Sequence, residues 1–164
     1  MARPSRSERA GAPKRRLARL AAVQALYQIE VTGRPSVRVV EEFEHVRLAD
    51  VLEPVEEESP VSPADTAWFA RVTLGAWTIH DRLDPEIARH LAPGWTLERA
   101  GYLFRACLRA GAYELAECPD VPVGVIISEY VEVAHALLPG GEPSVVHAVL
   151  DRLGRVYRPK PDAA

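Results

Sequence analysis

The stretch KRRLARLAAVQALYQIEV, residues 14–31, places Leu17, Leu20, Val23, Tyr27 and Val31 at helical spacing, and its other faces are mostly alanine and leucine. A helix that is apolar nearly all round is a central, buried one, so its basic end must stand at the surface. TGRPS (32–36) is a turn. Residues 36–50 read as an amphipathic helix, with Val39, Val40, Phe43, Val46 and Leu48 inside and Glu41, Glu42 and Glu44 outside. The acidic, proline-containing DVLEPVEEESPVSPAD (50–65) predicts an exposed loop. Ser62 and Pro63 open the next helix, which buries Trp68, Phe69, Val72, Leu74, Ala76, Trp77 and Ile79. Asp84-Pro85 restarts a short helix to about Leu91.

Thr96 is expected to cap a helix that runs to about Glu117. One stripe along it is Leu97, Gly101, Phe104, Leu108, Gly111 and Leu115; a second is Glu98, Tyr102, Arg105, Arg109 and Tyr113. Cys118-Pro119 ends it. VPVGVIISEYV is β-branched enough to suggest a strand, but its continuation has helical spacing and Pro122 fits a first turn, so a helix to about Leu138 is expected. A last helix covers 143–157. No segment shows sustained two-residue alternation, and the fold class is all-α, about seven helices packed around the first.

The 164 residues suggest one domain with its own core. Residues 1–13 are Pro, Ser, Gly and Arg with almost nothing to bury, a basic arm expected to be disordered when free. Residues 14–158 form the helical domain and 159–164 a loose tail. The two cysteines, Cys107 and Cys118, lie on one expected helix roughly 16 Å apart, too far for a disulfide. With no signal peptide and no apolar run of membrane length, the expected location is a reducing cytoplasm, away from membranes.

Charge sharpens the picture. The net charge is −3, yet residues 1–19 hold seven cations (Arg3, Arg6, Arg9, Lys14, Arg15, Arg16, Arg19) against Glu8 alone. A head of about +6 on a body of about −9 points to an anionic partner met at one place. Arginine predominates, and its planar fork suits phosphate and stacks on bases. Lys14, Arg15, Arg16 and Arg19 stand at a helix entrance, where they can meet consecutive phosphates; the bland alternative is a solvated face. Arg109 and Glu129 lie on helices expected to pack antiparallel across the Pro-Asp-Val-Pro turn, and they read as a structural ion pair, since burying either alone is costly. Cys118 has no histidine or cation beside it in sequence, so it does not read as a nucleophile. Glu86 and His90 lack a third metal ligand by spacing, and no glycine-rich phosphate loop or internal repeat is present. No cofactor and no catalysis are expected.

ARLAAVQALYQIEVTG, LRAGAYEL, DVPVGVIISEYVEVA and EPSVVHAVLDRL, in that order, resemble the NusB family over roughly residues 14–157. The resemblance implies an all-helical fold of two small bundles. It implies a non-catalytic transcription antitermination factor that binds the boxA element of ribosomal RNA leader transcripts together with NusE, a ribosomal small-subunit protein, within the RNA polymerase antitermination complex. By resemblance Lys14, Arg15, Arg16 and Arg19 match the family's RNA-binding start. Tyr27 reaches RNA or partner unless it packs in the core, and Phe104 and Arg105 match partner-facing positions, with a core role the alternative for Phe104. The start of the last helix, with Val145 and His147, lies near the RNA. The sequence departs from the family pattern at Ser128, Val145, His147 and Ala148; valine offers no flat face for stacking, so weak, mostly electrostatic binding by the isolated chain is expected. An accessory domain of a ribosomal RNA methyltransferase and a diverged protein-interaction module are the alternative functions. A homodimer is a further possible assembly.

Overall fold

The computed structural model describes residues 6–47 and 63–161, with side chains described for 15–45 and 66–161. Among the described residues every regular element is helical: α1 Arg6–Thr32, α2 Ser36–Glu42, a π-helical turn Phe43–Arg47, α3 Pro63–Thr78, α4 His80–Arg89, α5 Tyr102–Glu117, α6 Val123–Leu137 and α7 Glu142–Tyr157. No described helix is long and apolar enough to cross a membrane.

The 27 residues of α1 span about 40 Å. Its backbone is helical from Arg6, so much of the expected arm continues the helix; residues 1–5 lie outside the described part, as do residues 50–62 of the loop expected at 50–65, whose last three residues open the helix that starts at Pro63. α1 is the central element, packed against α3 and α5 and touching α2 and α6. Its buried face is built of small residues, Ala18, Ala21, Ala22 and Ala25, with Val23, Leu26 and Ile29. Alanines there let neighbouring helices approach closely. Tyr27 and Val31, expected to be on the apolar stripe, are exposed instead.

α5, α6 and α7 pack on one another, giving a second group of helices joined to α1–α3 through the α1–α5 and α3–α5 contacts. Glycines set two of these approaches. A Cβ at Gly75 would fall 2.2 Å from the Tyr113 ring, and one at Gly111 would fall 2.9 Å from Leu150. Neither site has room for a side chain without repacking. Beyond α7, Arg158 reaches back to α5 and donates to the carbonyls of Glu114 (3.0 Å), Leu115 (3.0 Å), Cys118 (2.6 Å) and Val121. It satisfies the acceptors that a helix end leaves open.

Three boundaries differ from expectation. α2 gives way to the π-helical turn at Phe43, although the amphipathic pattern continues. The chain breaks at Ile79, not at Asp84, and Pro85 lies inside α4; the His80 ring stacks on Trp77 (4.2 Å) and engages the Trp77 carbonyl at this corner. α5 starts at Tyr102 because Gly101 takes a left-handed φ of 73° that breaks the helix. Thr96 caps a separate turn, where its hydroxyl accepts the Arg99 N–H at 3.2 Å.

Candidate functional site

The entrance of α1 places its cations in different environments. Arg15 is exposed, and its guanidinium lies 4.4 Å from the centre of the Trp68 ring on α3. Arg16 is half exposed and forms a two-pronged ion pair with Glu129 of α6, at 2.9 and 3.0 Å. Arg19 is a correction: its side chain is buried, 3% exposed, and locked on Glu114, which is 0% exposed, at 2.8 and 2.9 Å. One helical turn further into α1 than Arg15 and Arg16, it has passed below the surface. It therefore cannot offer its charge to a phosphate. Desolvation opposes the Arg19 charge, but the Glu114 contact outweighs it and the guanidinium pKa is raised. Tyr130 also donates its hydroxyl to Glu114. Burial, then the Glu114 charge, holds that phenol well above its ordinary pKa. The side chain of Lys14 lies outside the described residues.

The expected Arg109–Glu129 brace does not form. Glu129 belongs to Arg16. Arg109 donates to Asp84 (2.8 and 2.7 Å) and Glu30 (2.8 Å), and Glu30 also takes Arg105 at 2.7 Å. Helix rotation decides this. Arg109 and Arg105 are one turn apart and face α1 and α4, whereas Glu129 faces the start of α1.

This second network floors a cleft of about 820 Å³ at the other end of α1, lined by Glu30, Asp81, Asp84, Trp95, Glu98 and Tyr102 among others. Phe104 is 1% exposed and stacks on Trp95 at 5.4 Å, so its place on the apolar stripe as core holds and the partner-facing reading is corrected. Arg105 lines the cleft, held by Glu30 and by the Leu97 carbonyl at 2.7 Å. The exposed aromatics there are Tyr27 and Tyr102, edge to face at 6.5 Å, with Arg105 over Tyr102 at 4.5 Å. Tyr102 was legible only as a member of the second helical stripe.

At the start of α7, Val145 packs against the core and His147 is exposed. No hydrogen bond or ion pair joins either to the α1 cations among the described residues. The two cysteines are buried, and desolvation pushes Cys107 from 9.0 up to about 12 and Cys118 up to about 11. Neither is poised as a thiolate.

The sequence model of the NusB family matches residues 16–155, from Arg16 of α1 onward, and takes in the cleft and all of α3 to α6. The chain belongs to the NusB family. The transcription antitermination protein NusB of Rhizobium rhizogenes is 44% identical over 147 residues, 90% of this chain and 89% of that protein. The protein of the same name from Brucella ovis is 45% identical over 147 residues, 90% of this chain and 84% of its own. Among solved structures, T. maritima NusB superimposes with a TM-score of 0.71 at 25% identity, covering 88% of this chain and 93% of that one. NusB from Aquifex aeolicus shares the fold, with a TM-score of 0.68 at 20% identity over 92% and 95%. The NusB fold thus carries, in this chain, two exposed arginines at the α1 entrance and an acidic cleft with two tyrosines at its far end.

Proposed function

We propose that this protein is a non-catalytic, RNA-binding transcription antitermination factor that engages single-stranded boxA-type RNA together with a NusE-type ribosomal protein and supports ribosomal RNA transcription. The observation that carries it is the exposed Arg15–Arg16 pair at the surface end of the central helix of a NusB fold. Two cations there release counterions when phosphates bind. The antitermination name of the relatives points the same way.

The partner is read from the other end of α1. Tyr27, Val31 and Tyr102 are exposed apolar groups beside a cleft in which Arg105 and Arg109 match Glu30 and Asp84, while the exposed Asp81 and Glu98 leave it a net negative charge. A basic protein with an apolar contact, as a ribosomal protein is, suits that surface. His147 adds a polar group at the α7 start, while Val145 supplies no stacking face. Intrinsic sequence preference is accordingly small, and the partner raises it by joining two modest surfaces on one RNA.

The test is a titration of boxA-type and scrambled single-stranded RNA, with and without the ribosomal protein. Salt-dependent binding with little preference alone, and a clear boxA preference with the partner, is expected. No binding of either RNA under both conditions would overturn the proposal.

A further inference from the structure

Two arginines that lie far apart in sequence share one indole. Arg15 on α1 and Arg71 on α3 lie 4.4 and 5.2 Å from the centre of the Trp68 ring, with the buried Arg19 also near at 5.7 Å. Arg15 and Arg71 are both exposed, while Trp68 is 5% exposed and fixed in the core. Neither exposed arginine forms an ion pair among the described residues. Arg71 makes a long hydrogen bond to the Glu117 carbonyl at 3.4 Å and lies beside the Tyr113 hydroxyl. Arg16, in contrast, is already matched with Glu129.

We propose that Arg15 and Arg71, held on Trp68, form a two-guanidinium clamp for the RNA phosphate backbone, so that the RNA surface extends from α1 onto α3. The clamp rests on the RNA-binding reading given above and deepens it. Its physical basis is preorganisation. A free arginine side chain loses rotamer freedom when it fixes a phosphate. Stacking on a tryptophan already restricts it, and a guanidinium has five N–H donors, so Arg71 keeps donors for a phosphate beyond those it turns to the Glu117 carbonyl and Tyr113. Because both cations are referenced to one rigid ring, their spacing is set before RNA arrives, which lowers the ordering cost of binding. Sequence reasoning placed Trp68 in the core and passed over Arg71, because the pairing exists only in the tertiary register of α1 against α3.

The test measures affinity for one short, scrambled-sequence single-stranded RNA across a salt series, for the full chain and for Arg15→Ala, Arg71→Ala, Arg71→Lys and Trp68→Leu. Thermal melts establish that each variant is folded at the temperature used. Arg71→Ala is expected to weaken binding several-fold and to make the log–log salt slope shallower by about 0.7, the share of one phosphate contact on a single strand. Arg71→Lys should keep the slope and still bind more weakly, because the charge remains while the stacked fork is lost. Trp68→Leu should weaken binding with the slope retained. Arg71→Ala with wild-type affinity and slope, alongside an Arg15→Ala slope that falls, overturns the clamp and leaves the α1 surface standing. RNA binding by the wild type that ignores salt overturns the clamp, and a wild-type protein that does not bind the RNA at all overturns the RNA-binding reading itself.

Discussion

Replacing Arg19 by methionine should remove much of the stability of this protein without touching its RNA chemistry. Methionine keeps most of the side chain's length and removes the charge. The Glu114 carboxylate, 0% exposed, would then be left with the Tyr130 hydroxyl and no cation. Breaking a buried pair by removing one partner costs about 3–5 kcal/mol, against a total of about 5–15 kcal/mol for an ordinary domain. At a urea slope of about 2 kcal/mol/M, a loss of about 4 kcal/mol lowers the midpoint by about 2 M. Glu114→Leu alone should cost about as much, since it strands Arg19. The double variant removes both charges. It should be more stable than the two single losses summed by about 3 kcal/mol; the acceptor that Tyr130 loses is missing from Glu114→Leu and from the double variant alike, so it cancels in the cycle. Urea titrations followed by circular dichroism give all four corners of the cycle. A midpoint for Arg19→Met equal to wild type, or strict additivity in the cycle, would refute the buried pair. Under folding conditions the salt dependence of RNA binding by Arg19→Met should match wild type, because Arg19 does not reach solvent.

Glu129→Gln should strengthen RNA binding several-fold at low salt, since it frees the Arg16 guanidinium from a competing carboxylate; weaker binding in the same titration would show that Glu129 orients Arg16 for the RNA. The same variant should shift stability by under about 1 kcal/mol, as Arg16 is half exposed, whereas Arg109→Ala, which strands Asp84 and leaves Glu30 to Arg105 alone, should cost about 2–4 kcal/mol; equal urea midpoints for the two would contradict the assignment. Stability should also fall on the alkaline side. The folded chain holds the Cys107 and Cys118 thiol protons up to about 12 and about 11, while the unfolded chain releases them near 9.0. The native state thus binds more protons above that point, so stability is intact below pH 9.0 and declines as pH rises toward 11 and 12, at up to about 1.4 kcal/mol per pH unit for each thiol. Urea midpoints across that range should fall less steeply for Cys107→Ala than for wild type.

The helices were legible because their patterning is strong and local. The Leu-Ala run of α1, the Phe104-Leu108-Gly111-Leu115 stripe of α5 and the late helices sit where their spacing put them. The boundaries that moved did so through backbone or side-chain detail that periodicity does not carry, such as the positive φ of Gly101 and the corner at Ile79. The charged residues show a sharper divide. Composition located the basic end of α1, but it could not separate Arg15 and Arg16 from Arg19, because the difference is a rotation of one helix against α5 and α6. It also mispaired Arg109 with Glu129. Both residues do make ion pairs, with partners on α1 and α4 chosen by tertiary register. Phe104 fits its stripe as core, and the exposed aromatic beside it is Tyr102, two positions earlier and on the other face.

The most direct test of the RNA surface at the α1 entrance is the salt slope of single-stranded RNA binding for wild type and for the Arg15→Ala/Arg16→Ala double variant. With the phosphate contact of Arg15 removed, and that of Arg16, which Glu129 shares, removed in part, the slope should be shallower by about 0.7 to 1.4, with affinity reduced most at low salt and with stability within about 1 kcal/mol of wild type. A double variant that binds with the wild-type slope would contradict the account, and would move the RNA to another face of the molecule.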